Sequence, residues 1–141
     1  MLEQVQSDVT ASLKAGDRQR ANALRLIVNE LQKAAKEGDT DEVAVLQRER
    51  KRRIEAAEAY RGAARQDLAD AEALEAEIIE AYMPAQLSDE ELRAIVGDVV
   101  AESGASSPKE MGKVMSAVMP QVKGKADGKR VSAMVQELLT P

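Results

Sequence analysis

Residues 111–131 read MGKVMSAVMPQVKGKADGKRV, and they contain both a clear helical pattern and a dense group of lysines. Apolar residues recur three or four positions apart from Met111 to Met119, which is the spacing of one buried helix face. We interpret the methionines as core rather than as an adaptable binding surface. Pro120 is expected to end this helix, and the glycines and Asp127 of KGKADGK predict a turn and a new helix start. The stretch therefore predicts two packed helices joined by a basic turn.

The same spacing of apolar residues extends over the rest of the chain, and no segment alternates apolar and polar residues as a half-buried strand would. The predicted fold class is therefore all-α. We expect Leu13 to lie on the buried face of the first helix. Predicted helix starts fall at residues that cap helix N-termini, and predicted ends fall at glycine or proline. The starts are Asp17, Asp39, Asp67, Ser88, Ser107 and Asp127, and the ends are Gly16, Gly38, Gly62, Pro84 and Gly104.

Pro84 marks the expected boundary between two lobes, because proline does not continue a helix. Residues 1–84 are predicted to form an N-terminal helical lobe, and residues 85–141 a small C-terminal lobe of three helices. Residues 1–105 contain 14 Lys and Arg against 22 Asp and Glu, whereas residues 106–141 contain six against three. We therefore expect the C-terminal lobe to be basic within a chain of net charge −5, and this asymmetry favours an anionic partner.

The composition excludes several classes of function. Cysteine and histidine are absent, so disulfides, thiolate chemistry and the usual base beside a nucleophilic serine are excluded. We expect no catalytic residues, no metal site and no cofactor. Two tyrosines are the only aromatic residues, which leaves phosphate or shape contacts as the means of binding a nucleic acid. No apolar run approaches the ~20 residues of a membrane span and the N-terminus lacks a basic leader, so we expect a cytoplasmic protein with no membrane partner.

The basic turn is the strongest candidate binding site. A helix N-terminus surrounded by lysines is suited to bind phosphate. The spacing is not that of a Walker-type loop, so nucleotide hydrolysis is not implied. A capped turn with solvated lysines remains an open alternative, because the Asp127 carboxylate would occupy the same amides. The candidate RNA-binding residues are Lys113, Lys123, Lys125, Lys129 and Arg130.

Four further residues are expected to shape the turn and the packing of its helices, namely Gly112, Gly124, Asp127 and Gly128. Glycine early in a helix costs ~1 kcal/mol relative to alanine. We therefore expect another helix to lie close to Gly112, with close approach of an RNA backbone as the alternative. Either interpretation predicts that Gly112→Ala is disruptive.

Two charged segments of the N-terminal lobe are interpreted as structural. The run RERKRR at residues 48–53 is expected to be a solvated helix face that pairs with nearby glutamates such as Glu49, with the stem of Arg50 partly buried. The acidic residues at positions 67–80 are spread around a helix, so we expect no acid–base or metal site there.

Specific residues of this chain resemble the GatB/YqeY family. They are Tyr82, Pro84, Gln86 and Leu87, followed by Met111, Gly112, Lys113, Lys125, Asp127, Gly128 and Lys129. The family comprises small YqeY-like proteins and the C-terminal tail domain of the B subunit of the glutamine-dependent aspartyl/glutamyl-tRNA amidotransferase. The resemblance covers essentially the whole chain and implies a two-lobe helical fold.

The same resemblance implies a role in translation. In the amidotransferase and in some glutaminyl-tRNA synthetases, a domain like this is appended to a catalytic body and helps to hold tRNA. We therefore expect a noncatalytic tRNA-binding accessory module. Two alternatives remain, namely a component or relative of a carbon–nitrogen ligase that uses glutamine as amido-N-donor, and a helical adaptor for an aminoacyl-tRNA synthetase or amidotransferase. The sequence offers no nucleophile with a base beside it, so we expect no autonomous activity.

Overall fold

Seven α-helices and one 3₁₀ turn make up the regular structure of residues 1–140, the part of the chain that the computed structural model describes. No strand occurs among these residues, which confirms the all-α prediction. The helices are α1 (Leu2–Lys14), α2 (Arg18–Lys36), α3 (Glu42–Gly62), α4 (Gln66–Glu80), α5 (Asp89–Ser103), α6 (Met111–Val122) and α7 (Gly128–Leu139), and the 3₁₀ turn is Pro108–Glu110.

The chain divides into two compact units, each with its own apolar core. The N-terminal unit, Met1–Pro84, contains α1 to α4, and the C-terminal unit, Ala85–Pro141, contains α5 to α7. The N-terminal core is built around fully buried residues such as Leu24, Leu46 and Ile79. Valine dominates the C-terminal core, whose largest fully buried side chains are Leu92, Val96, Val114, Val118, Val122, Val131 and Val135.

Positive charge is concentrated in only part of the C-terminal unit. Residues 85–141 carry seven Lys and Arg against eight Asp and Glu. The expectation of a basic lobe is therefore wrong for the unit as a whole, because α5 is acidic. It holds for residues 106–141, which contain α6, α7 and the turn between them.

Most predicted helix starts are confirmed by side-chain caps. Asp17 accepts a hydrogen bond from the Arg20 amide at the start of α2, and Ser88 accepts one from the Glu91 amide at the start of α5. Ser107 and Glu110 form the predicted capping box around the 3₁₀ turn. These caps satisfy amides that have no partner inside their helices.

Two predicted starts are wrong. The cap of α3 is Asp41, whose carboxylate accepts a hydrogen bond from the Ala44 amide at 3.1 Å. Asp39 lies two residues before this cap, and its carboxylate accepts a hydrogen bond from the Asp41 amide. The Asp39 carboxylate thus forms a local turn that presents Asp41 as the cap. α4 begins at Gln66 without a side-chain cap, and Asp67 lies in its first turn, where its charge is favourable to the helix dipole.

Two other expectations about the helices are also wrong. Pro120 does not end α6, which continues to Val122. The proline is exposed, and the extra turn places Val122 on the same buried face as Val118. Leu13 is 44% exposed. Ser12 takes the inward position instead, and its carbonyl accepts the Asp17 amide at 2.9 Å to close the α1–α2 turn.

Left-handed residues follow several helix ends, and one of them is not glycine. Gly16, Gly38, Gly104 and Gly124 have positive φ, and so does Ala64, with φ of 59°. At the end of α3 the Ala64 amide donates to the Arg61 carbonyl and the Arg65 amide donates to the Tyr60 carbonyl. This is the Schellman arrangement, which normally has glycine at the left-handed position.

Replacing Ala64 with glycine is expected to raise the free energy of unfolding by about 0.5–1 kcal/mol. The left-handed conformation costs alanine about 1–2 kcal/mol, which exceeds the added backbone entropy of glycine in the unfolded chain. Urea denaturation measures the gain. Ala63→Gly is the matched control, because Ala63 has φ of −93° and should lose stability. If both variants lost stability, the left-handed conformation of Ala64 would not be strained as we infer.

Arginines of the run RERKRR pair with glutamates of both α3 and α4. Arg53 lies 2.7 Å from the Glu49 carboxylate in α3 and 3.2 Å from the Glu75 carboxylate in α4. Arg50 lies 3.3 Å from Glu80, and its side chain is 21% exposed, which confirms the partly buried stem. The solvated-face interpretation is wrong for Arg53 and Glu49, since their side chains are only 13% and 10% exposed.

A polar contact joins Tyr82, in the turn that follows α4, to α1 of the N-terminal unit. The Tyr82 hydroxyl donates a hydrogen bond to the Asp8 carboxylate of α1, and Arg20 of α2 lies beside the pair. Burial, assisted by the hydrogen bond and the negative charge of Asp8, raises the pKa of Tyr82 to about 12. The sequence contains Tyr82 among the family residues but does not show this partner.

The ionisation of Tyr82 is expected to have a midpoint near pH 12, measured by tyrosinate absorbance in a Tyr60→Phe variant, where Tyr82 is the only tyrosine. Because the folded-state pKa is raised, the contribution to stability is complete below pH 10, the ordinary value, and is lost as the pH rises through about 12. Adding Asp8→Asn should lower the midpoint, since it removes the charge beside the phenol. A midpoint near pH 10 in the Tyr60→Phe variant with Asp8 intact would contradict the hydrogen bond between Tyr82 and Asp8.

Candidate nucleic-acid interface

The segment between α6 and α7 is a tight turn that requires glycine at one position. α6 ends at Val122, and Gly124 follows with φ of 76° in a buried position. The Val122 carbonyl accepts hydrogen bonds from the Lys125 and Ala126 amides at 2.8 and 3.2 Å. Ala126 is 1% exposed. Gly124 and Ala126 therefore fill the inward positions of the turn. The positive φ of Gly124 agrees with the prediction that this glycine shapes the turn.

Three lysines are exposed on this turn and on the first residues of the following helix. They are Lys123, Lys125 and Lys129, and we refer to residues 123–129 as the lysine turn. Because Gly124 and Ala126 are buried, the lysines on either side of them lie on the solvent side of the backbone. The structure thus brings together three of the five candidate RNA-binding residues.

The lysine turn is bonded to the segment that precedes α5. The Gln86 side-chain amide donates to the Gly124 carbonyl at 2.9 Å. The Leu87 backbone amide donates to the Lys125 carbonyl, also at 2.9 Å. Two adjacent carbonyls of the lysine turn are therefore held by two adjacent residues from elsewhere in the C-terminal unit.

Asp127 caps α7, as the sequence predicts. Its carboxylate accepts a hydrogen bond from the Arg130 amide at 2.8 Å. An anion at this helix N-terminus would meet an amide that is already bonded and a carboxylate of the same charge. Any anion binding must therefore rely on the lysine side chains more than on the helix amides.

The Arg130 side chain forms bonds within the protein. One guanidinium nitrogen donates to the Leu87 carbonyl at 2.9 Å and to the Asp89 carboxylate at 2.8 Å. The Arg130 side chain is 34% exposed. Arg130 thus links the start of α7 to the start of α5.

Lys113 lies away from the lysine turn along α6. Ten residues separate it from Lys123, which corresponds to about 15 Å along a helix axis. Its ammonium group donates to the Ser103 carbonyl at the end of α5, at 3.2 Å. At the same end of α6, hydrogen bonds from the Ser106 and Ser107 amides lower the pKa of Glu110, with a further contribution from the positive charge of Lys113. Lys113 is therefore part of the junction between α5 and α6.

The packing role expected of Gly112 is wrong. Gly112 is exposed, and a Cβ atom built on it would have no atom within 4 Å. A Cβ at Gly128 would also have no neighbour within 4 Å, so its place at the start of α7 does not depend on close packing. The sequence pattern identified glycines, but it could not distinguish a glycine needed for its φ angle from one in an open helix.

Gly112→Ala is expected to leave the protein equally stable or to stabilise it by up to about 1 kcal/mol, the reverse of the sequence-based expectation. Alanine is favoured over glycine inside a helix and meets no obstacle here. Thermal unfolding measures the change. Gly104→Ala is the control, because a Cβ there is also unobstructed but φ is 69°, so this variant should be destabilised. A clear loss at Gly112 would indicate a contact that the structure does not show.

Other charged or concave regions do not form an equally specific site. A groove of about 510 Å³ lies between α2 and α3, and its lining holds the cations Lys33, Arg48, Lys51 and Arg52 together with four glutamates. Its charges balance. Within residues 1–140, no group of three or more acidic residues is arranged to hold a metal ion. None of the helices in this part of the chain has the length and apolar character needed to cross a membrane.

The sequence singled out Gln86 and Leu87 as family-like residues without giving them a role, and the hydrogen bonds to the lysine turn provide one. No curated protein matches this chain in a sequence comparison. A family model described as Yqey-like protein matches residues 2–139, which covers both units and every residue of the lysine turn. The chain therefore belongs to the YqeY-like protein family.

Proposed function

We propose that this protein is a noncatalytic accessory module that binds tRNA through the lysine turn. The observation that carries the proposal is the exposure of Lys123, Lys125 and Lys129 on an ordered turn. Backbone amides of this turn donate to the Val122 carbonyl, and its carbonyls accept hydrogen bonds from Gln86 and Leu87. Three ammonium groups held on a short, ordered segment form a positive patch that suits the closely spaced phosphates of a nucleic acid. The surrounding residues 106–141 carry an excess of positive charge in an otherwise acidic chain.

The choice of a folded RNA follows from what the chain lacks and from what it resembles. With only two tyrosines, it has little capacity to stack on splayed bases, so contacts to phosphates and to the shape of the RNA are the remaining means of recognition. The resemblance to the amidotransferase tail domain, which helps to hold tRNA, favours tRNA as the folded RNA. Selectivity would then depend on how the phosphates of a folded tRNA are arranged.

The proposal is tested by titrating purified tRNA with the protein of residues 1–141 at several salt concentrations. We expect saturable binding whose logarithmic affinity falls with the logarithm of salt concentration, with a slope of about −2 to −3 for three lysine contacts. A single-stranded oligonucleotide of the same length serves as the comparison and should bind more weakly. Absence of saturable binding to tRNA would reject the proposal.

Two other roles follow from the same family resemblance, and each has a distinct measurement. An adaptor for an aminoacyl-tRNA synthetase or amidotransferase would bind that enzyme without tRNA present. A carbon–nitrogen ligase component would transfer the amide nitrogen of labelled glutamine to an acceptor. Either result, obtained together with absent tRNA binding, would replace the accessory-module proposal.

A further inference from the structure

The hydrogen bonds around Leu87 show that the lysine turn is held by residues outside it. The backbone amide of Leu87 donates to the Lys125 carbonyl, and the Leu87 carbonyl accepts from Arg130. Gln86 adds a bond from its side chain to the Gly124 carbonyl. Both backbone polar groups of Leu87, and two successive carbonyls of the lysine turn, are therefore hydrogen-bonded.

We infer that Gln86 and Arg130 are positioning residues, which hold the lysine turn in its binding conformation and do not themselves contact the phosphates. This inference rests on the proposed function. Arg130 was a candidate phosphate ligand, but its guanidinium is bonded to the Leu87 carbonyl and paired with Asp89. Gln86 is partly buried and reaches a buried glycine.

The physical advantage of this arrangement is a lower entropic cost of binding. A flexible turn bearing lysines must lose backbone and side-chain freedom when it meets a polyanion, and this ordering lowers the affinity. A turn whose carbonyls are already held loses less. Removal of the bonds should therefore weaken affinity without changing the number of phosphates contacted.

The first test replaces Gln86 with methionine, which has a similar length and no hydrogen-bond donor. We expect tRNA binding to weaken roughly three- to tenfold, with the salt slope unchanged because all lysines remain. Gln121→Met is the matched control, since the Gln121 amide also donates to a backbone carbonyl, that of Ala117, near the end of α6. This control should bind as the wild type does.

The second test distinguishes positioning by Arg130 from direct phosphate contact. Arg130→Gln combined with Asp89→Asn removes the ion pair without changing the net charge. A positioning role predicts weaker binding with an unchanged salt slope, whereas loss of a phosphate contact would reduce the magnitude of the slope by about 0.7–0.9. Amide hydrogen exchange at Lys125 should accelerate in both the Gln86 and the Arg130 variants.

The possible results separate this inference from the proposed function. If wild-type protein does not bind tRNA, the proposed function fails and the inference fails with it. If wild-type protein binds but Gln86→Met binds equally well while folded, only the positioning inference is rejected. A reduced salt slope in the Arg130 variant would reject positioning by Arg130 and restore it as a phosphate ligand.

Discussion

Replacing Arg53 with methionine is expected to lower the free energy of unfolding by about 3 kcal/mol. The Arg53 guanidinium bonds to the carboxylate and the backbone carbonyl of Glu49, at 2.7 and 3.1 Å, and to the carboxylate of Glu75 at 3.2 Å. Glu49 is the most deeply buried charged residue of residues 1–140, at 7% exposure. Without Arg53, the negative charge of this buried carboxylate would be compensated much less well. The cost of leaving that charge buried is greater than the net contribution of the ion pair to stability.

Arg52 offers a matched control for this substitution. Its guanidinium also pairs with Glu49, at 3.0 Å, but its side chain is 72% exposed. Arg52→Met should therefore cost less than about 1 kcal/mol, as is typical of exposed ion pairs. The double variant Arg53→Met/Glu49→Leu should recover much of the stability lost in Arg53→Met, because it also removes the buried carboxylate that only the exposed Arg52 would still compensate. Equal losses for Arg52→Met and Arg53→Met in guanidinium denaturation would contradict this account.

The pH dependence of the Arg53 variant gives an independent check. Burial, followed by the nearby charge of Glu75, raises the pKa of Glu72 above its ordinary value, while Arg53 opposes this shift. A raised folded-state pKa contributes stability at pH values below 4.5, the ordinary value, and that contribution is lost as the pH rises through the folded-state pKa. Removing Arg53 should raise the pKa of Glu72 further. The stability deficit of Arg53→Met is therefore expected to shrink on acidification.

Helix ends and caps could be predicted because their determinants lie within a few residues. Ser88, Ser107 and Asp127 each act on amides three positions later, and Gly38 and Gly104 adopt the left-handed conformation that glycine favours. The failure at Asp39 arose because a second acidic residue, Asp41, takes the capping role, whereas α4 begins one residue before Asp67 and has no side-chain cap at all. The left-handed conformation of Ala64 could not be predicted, because nothing in its residue type favours it.

Partners that are distant along the chain could not be predicted in the same way. Arg50 pairs with Glu80 thirty residues away, Gln86 with Gly124 thirty-eight residues away, and Arg130 with Asp89 forty-one residues away. Each of these side chains reads locally as a solvated charge or a loop amide. Only the packing of the helices shows that they are engaged. The bonds of Arg130, together with that of Lys113 to the Ser103 carbonyl, reduce the proposed contact set from five residues to three.

Reversing the charges of Lys125 and Lys129 to glutamate is expected to weaken tRNA binding on the order of 100-fold at low salt. Each reversal removes one phosphate contact and adds a repulsive charge, and a loss of about 1.4 kcal/mol for each lysine corresponds to a factor of ten. Both side chains are exposed, so the variant should remain folded, and its helical circular dichroism provides that check. The milder variant Lys125→Gln/Lys129→Gln should reduce the magnitude of the salt slope by about 2.

A general effect of net charge must be separated from loss of a specific contact, and Lys33→Glu/Lys51→Glu makes this separation. These two lysines are exposed on α2 and α3 and line the groove of the N-terminal unit, and their reversal changes the net charge of the chain by the same amount. If tRNA binds at the lysine turn, this control keeps every contacting lysine and should lose only the affinity expected from long-range repulsion. That loss should become small when the two variants are compared at about 0.1–0.15 M salt, where charges are screened over about 8–10 Å. Equal losses in the two variants would mean that binding follows net charge alone. A loss confined to the control would move the interface to the α2–α3 groove, since the lysine turn would then be intact in the variant that fails to bind.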